Sequence, residues 1–346
     1  AIAIGHTALA NKINATAIGS GALATGTNAT ALGDQANANG NQSTAVGRGA
    51  KANANSSVAV GHAAIASGAR AAAFGQGAKA SEADSVAIGY SSVGSGTLST
   101  AIGSYANATA QDSVAIGYLS NATAEDSLAI GKSSIANEVN AIAIGTEAKA
   151  TANNSIAFGD NAEASGNQAT TFGASAVANQ ENATAVGEKA KATGTQSTAI
   201  GRQSLANKHD ATALGTISKA TGVRATALGV QSTASGKCSI AVGSWSVASG
   251  NLSQAIGPNA SAFGETSAAF GAFAAASGSS SIALGSLATS IGNNSLALGK
   301  FAVSSKENAI AIGSVSTSDA TNSTAIGTDS GAISPNSIAI GASSRA

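Results

Sequence analysis

Glycine returns every fourteen residues from Gly5 to Gly341, at 25 successive stops without a miss. A fixed period of this length means one small unit stacked on itself. The 346 residues therefore need no division into globular domains. The alanine, serine, asparagine and threonine between the glycines resemble low complexity, but disorder has no reason to keep a glycine in phase. The expectation is one repeat domain over residues 1–346. The chain begins inside one repeat, stops inside another and holds no methionine, which reads as a fragment of something longer.

Positions counted from each anchor glycine show the unit. Minus one is large and apolar throughout, as in Ile4, Ile18, Leu32, Phe74, Ile88, Ile116, Ile144, Phe158, Ile200 and Ile340. Minus two is alanine except at Thr171, and minus four is only serine or alanine. This alternation before the glycine reads as a β-strand of period two. After the glycine, plus three and plus five are small while plus four varies (Lys51, Asn121, Glu163, Val177), which reads as a second short strand. Glycine with polar pairs on one side, and runs such as "SGN" and "TGT" on the other, supply two turns. Two strands and two turns in fourteen residues make one coil of an all-β solenoid, each coil pairing in parallel with the next at ~4.8 Å.

Parity then assigns an inside. Minus four, minus two, the anchor, plus three and plus five form one set of small residues, suited to a flattened roll with closely spaced sheets. Minus one and minus three point outward and place a ladder of Ile, Val, Leu and Phe on the outside. A soluble monomer does not leave such a stripe wet, so it is expected to be an interface between chains. The opposite parity, with minus one filling the roll, is the alternative. The sequence "PNASAFGETSAAFG", Pro258–Gly271, carries an extra "AFG" ending at Gly264 and reads as an ornamented coil.

Chemistry is sparse. Seventeen basic and seventeen acidic residues cancel, which argues against a nucleic-acid or anionic-membrane surface. Cys238 is alone, so no disulfide framework or cysteine metal site is expected. His6 and His62 stand four coils apart and His209 lies in a turn; none can share a metal or proton-transfer site. No cofactor and no catalytic constellation is expected.

Two surfaces remain. At plus two, late in the chain, stand Ile217, Gln231, Trp245, Asn259, Phe273, Leu287, Phe301 and Val315; earlier the same corner is mainly polar or small, with Tyr105 and Leu119 as exceptions. Trp245, Phe273, Leu287 and Phe301 are the candidate ligand-binding residues, since aromatic and large apolar side chains dominate binding hot spots. A widened contact with a neighbouring chain is the other reading of that corner. Plus six is largely Asn, Ser and Thr, a polar face that reads as solvated or, alternatively, as a water-ordering surface of the ice-binding kind.

"DSVAIGYSS" (Asp84–Ser92), "DSVAIGYLS" (Asp112–Ser120) and "NSIAFGDNA" (Asn154–Ala162) resemble the head repeats of trimeric autotransporter adhesins of the Yersinia adhesin (YadA-like) type. The resemblance covers essentially the whole chain. It implies a left-handed parallel β-roll, three of which assemble as a homotrimer through the ladder headed by Ile4, Ile18 and Phe74. It also implies a non-enzymatic head on the outer-membrane surface of a Gram-negative bacterium. Membrane contact would be made by an anchor domain that these residues do not include. The partners implied are collagen, fibronectin or laminin, or abiotic surfaces. Ser85–Gly89 with Ser92, and Ser113–Gly117 with Ser120, match the form associated with collagen in some members. A rigid spacer, with adhesion elsewhere in the parent, is the alternative.

Overall fold

The computed structural model describes all 346 residues, Ala1–Ala346. They form two compact units, Ala1–Ser175 and Ala176–Ala346, built from the same coil. In the first unit, three-residue strands such as Val86–Ile88 and Thr100–Ile102 pair in parallel, with Val86 opposite Thr100 and Ile88 opposite Ile102. Two-residue strands such as Val93–Gly94 and Asn107–Ala108 make a second parallel ladder. The long-strand sheet runs from Ile2–Ile4 to Thr170–Phe172 and the short-strand sheet from Leu9–Ala10 to Glu163–Ala164. In the second unit the corresponding limits are Thr184–Val186 to Ile338–Ile340 and Val177–Ala178 to Gly331–Ala332. The expected all-β parallel solenoid with fourteen-residue coils is present, and no helix interrupts it.

The interior settles the parity. Ala17, Ala22, Ala24, Ser85, Ala87 and Ser92 are fully buried, and Thr171 is the largest side chain that is. With only a Cβ or a hydroxymethyl from each side, the two sheets approach closely. Many buried serines satisfy their hydroxyl on a backbone carbonyl, although Ser43, Ser99, Ser239, Ser253 and Ser281 have no partner. Ser85 Oγ donates to the Glu82 carbonyl at 2.6 Å and Ser92 Oγ to the Gly89 carbonyl at 3.1 Å. Where plus five changes from alanine to serine, hydroxyls meet inside the roll: Ser290 Oγ lies 2.6 Å from Ser295 Oγ of the facing sheet and 2.9 Å from Ser304 Oγ in its own column.

Each coil turns twice, and both turns carry a residue in the left-handed region, seven positions apart. Asp84 (φ 57°) and Ser91 (φ 51°) are one such pair. Their amides donate to the preceding coil, Asp84 N–H to the Ala69 carbonyl and Ser91 N–H to that of Gln76, both at 2.9 Å. Coil-to-coil hydrogen bonds thus hold the strained conformation in place. The half-period symmetry corrects the reading of the "AFG" at Gly264. That glycine occupies the same turn position as Gly250 and Gly278, so the coil is ordinary; Phe263 before it is exposed, as Ile291 and Ile333 are at the same position, where most coils carry small polar residues.

The anchor glycine has two reasons to be glycine. Gly89 sits at φ +136°, and a Cβ there would stand 2.5 Å from the Gly103 carbonyl oxygen of the next coil. Stacked backbones leave no room for a side chain at this corner.

Candidate functional site

The outward face of the long-strand sheet carries the apolar ladder. Ile4, Phe74, Ile88, Phe158, Ile200 and Ile340 are exposed, and Ile18, Ile116 and Ile144 are half-buried by their neighbours in the column. Parallel pairing in register sets each above the next, Ile88 against Ile102 and Ile144 against Phe158. Phe158 and Phe172 stack with ring centroids 4.7 Å apart and planes within 5°. In each unit this face carries large apolar side chains at minus one beside Thr, Val, Ile or Leu at most minus-three positions.

A second surface follows the plus-two corner, where sequence reasoning placed Trp245, Phe273, Leu287 and Phe301. All four are exposed, Trp245 at 56% and Phe273 at 55%. The structure adds that every one stands in the left-handed region, at φ 57–62°. The same holds for Ile217 (φ 59°) and Val315 (φ 60°), although β-branched side chains belong there least. Glycine fills this corner at Gly21, Gly49 and Gly77, so the large residues are not demanded by the turn. Trp245 N–H donates to the Val230 carbonyl and Phe273 N–H to that of Pro258, each at 2.9 Å, which fixes the backbone and throws the side chain outward.

Ile217, Gln231 and Trp245 border the short-strand sheet. A groove of about 290 Å³ is lined by Ile217, Gln231 and Trp245 from the corner and by Lys219, Thr233 and Val247 from plus four. Trp245 is therefore gathered with polar and charged groups of three successive coils, on a different sheet from the apolar ladder. It is not gathered with Phe273, because Asn259 intervenes in the corner column. Phe273, Leu287 and Phe301 follow in consecutive coils, and Lys300 Nζ lies 5.2 Å from the Phe301 ring centroid, within cation–π range.

Against known families, the profile described as "YadA head domain repeat (2 copies)" matches residues 1–22, 24–50, 42–64, 52–78, 66–92, 95–120, 108–134, 122–148, 136–162, 164–190, 192–218, 220–246, 234–253, 248–274, 276–302 and 304–330. The chain belongs to the YadA head family. It is similar to the crystal structure of the collagen-binding domain of Yersinia adhesin YadA, with 28% identity and a TM-score of 0.23, over 44% of this chain and 63% of that one. The match thus spans less than two thirds of that domain's length. No curated protein matches it.

Within these YadA head repeats, the serines of the "SVAIG" coils have an internal role. Ser85, Ser92, Ser113 and Ser120 are fully buried, and Ser113 and Ser120 donate to the Ala110 and Gly117 carbonyls at 2.6 and 3.0 Å. On the outward face of their long strands these coils show Val86, Ile88, Val114 and Ile116.

The same YadA head coils carry a feature that sequence reasoning only touched. Tyr90, Tyr105 and Tyr118 are exposed and meet edge to face, with centroids 5.2 and 6.2 Å apart. Tyr105 stands at plus two and its companions at plus one, so a column-by-column reading separated them. The available signal was that all 3 tyrosines of the chain fall in three consecutive coils. The histidines serve locally: His62 Nε2 is 2.7 Å from Arg48 Nη2, and His209 pairs with Asp210 at 3.1 Å.

Proposed function

We propose that this chain is the non-enzymatic adhesive head of a bacterial surface protein, assembled as a homotrimer of left-handed β-rolls. The observation that carries the reading is the uncovered apolar ladder of the long-strand sheet. A fully buried Val, Leu, Ile or Phe contributes roughly 1.5–3 kcal/mol. A column of such residues exceeds the ~4–15 kcal/mol entropic cost of association. Ile4, Ile18, Phe74, Ile88, Ile116, Ile144, Phe158, Ile200 and Ile340 are assigned to the interface between chains. The anchor glycines keep step from Gly173 to Gly187, which supports one head domain over residues 1–346.

With the ladder covered in the trimer, the corner column and the short-strand sheet remain for ligands. Trp245, Phe273, Leu287 and Phe301 are assigned to contact. Collagen, fibronectin, laminin and abiotic surfaces are the partners to test, and the setting is the outer-membrane surface of a Gram-negative bacterium. Many weak contacts, repeated over coils and over three chains, add through avidity without a deep pocket. The experiment is retention of the purified head on immobilised collagen, fibronectin, laminin and bare plastic. Saturable binding to one protein supports a receptor-specific adhesin, and equal retention everywhere supports general surface attachment. Silence on all four overturns the reading in favour of a spacer.

A further inference from the structure

The groove beside Trp245 brings an aromatic face, apolar walls and polar groups together. An indole face, the apolar walls Ile217 and Val247, the Lys219 ammonium, the Gln231 amide and the Thr233 hydroxyl converge on about 290 Å³. That size is at the lower end of small-molecule sites. Lys219 takes part in none of the chain's ion pairs. Gln231 Oε1 is buried without a hydrogen-bond partner within the chain. Trp245 is held at φ 62° by the hydrogen bond from its amide to Val230, which presents the ring at a corner where glycine would fit without strain.

Charge distribution points the same way. In a chain whose acids and bases balance, residues 211–264 contain Lys219, Arg224 and Lys237 and no aspartate or glutamate at all. Arg224 and Lys237 lie on the other turn of the coil and do not line the groove. No carboxylate within residues 211–264 competes with an anion for the Lys219 ammonium. The occupant must offer an apolar face to the indole, several hydroxyls to an amide and a hydroxyl, and one negative charge to an ammonium. A pyranose ring bearing a carboxylate has this combination. Its C–H face stacks on the ring, its hydroxyls reach Gln231 and Thr233, and its carboxylate reaches Lys219.

We propose that the groove formed by Ile217, Lys219, Gln231, Thr233, Trp245 and Val247 is a binding site for an acidic sugar residue. This deepens the adhesive reading and rests on it, by giving the head a carbohydrate target in addition to a protein one. The sequence supplies its own probe, because Trp245 is the single tryptophan. The assembled head is titrated with oligogalacturonate, with sialyllactose and with neutral lactose, while its intrinsic emission is followed.

The expected result is a saturable change in Trp245 emission with one or both acidic sugars, at least tenfold weaker with lactose. Raised salt and Lys219→Ala should each weaken it about tenfold. The arm that responds tells a uronate from a sialic acid. A soluble poly-glutamate that competes as well as the sugars would overturn the assignment in favour of an acidic peptide. An emission already blue-shifted and resistant to iodide would overturn it by showing the ring covered by another copy of the chain. No response to any sugar also overturns it. Retention on matrix proteins is measured on the same sample, so loss of the sugar site and loss of the adhesive reading are distinguishable.

Discussion

At the scale of single residues, two glycine-like corners in each coil behave differently. Gly145 stands at φ +135°, where a Cβ would meet the Gly159 carbonyl oxygen at 2.5 Å. Gly145→Ala is expected to lower stability by at least ~1–3 kcal/mol from backbone strain alone, read as a fall in the urea midpoint. At plus two the corner is open, and strain is the only penalty. Val315→Asn should therefore raise stability by about 1 kcal/mol, since the left-handed conformation disfavours a β-branched residue by roughly that much. If the midpoint falls instead, Val315 is covered in the assembly and its burial outweighs its strain. Acid behaviour is also local. Arg70 Nη2 lies 2.5 Å from Asp84 Oδ2, and its hydrogen bond holds the Asp84 carboxyl below its usual range. A lowered folded pKa contributes stability above the unfolded value of about 3.9, and that contribution disappears as pH falls through the folded value. Wild type and Arg70→Ala should thus differ slightly at pH 5–7 and converge only once the pH has fallen through the lowered folded value, a comparison that pH-dependent urea unfolding makes directly.

At the scale of the strand, the two residue sets of one element do separate work. In Val86–Ile88 the central Ala87 is buried, while Val86 and Ile88 face outward. Changing an inward alanine should therefore damage the coil, and changing an outward residue should damage association. Ala73→Val forces extra methyls between closely spaced sheets and is expected to lower stability by about 1–3 kcal/mol. The paired change Ile88→Lys with Ile116→Lys leaves the interior untouched. It should preserve the β-sheet circular-dichroism spectrum while shifting the sedimentation coefficient from trimer to smaller species. A wild-type chain that sediments as a stable monomer would remove the interface assignment. Thr171 is the one exception to the inward alanine rule, and its Oγ1 lies 3.3 Å from the Ile156 carbonyl, so its hydroxyl is accommodated by the backbone of the preceding coil.

At the scale of the whole molecule, repetition explains both the sparseness of chemistry and the wealth of surface. No coil can build a deep site, because its outward side chains, such as Val86, Ile88, Tyr90, Ser91, Val93, Ser95, Thr97 and Leu98, are spread over two sheets and two turns. Function must come from columns across coils, such as the ladder, the tyrosine cluster and the Trp245 groove. Much of this was written in the sequence. A fixed period with small residues at alternate positions leaves no other regular structure, because the periodicity determines hydrogen-bond register and which side chains share a face. The coil, its anchor glycine and the two alternating residue sets follow from that one fact, and the buried alanines of the structure then placed the ladder outside. The tertiary structure decided what spacing within a column cannot express. It showed that each coil has a second, equivalent turn, which made Gly264 ordinary. It showed that the "SVAIG" serines are spent on backbone carbonyls. It joined Tyr90 and Tyr118 to Tyr105 across two columns, and it turned Trp245 toward Lys219 and Thr233. Those outcomes depend on the direction a side chain leaves a left-handed corner, a property of backbone geometry in three dimensions that no count along the chain contains.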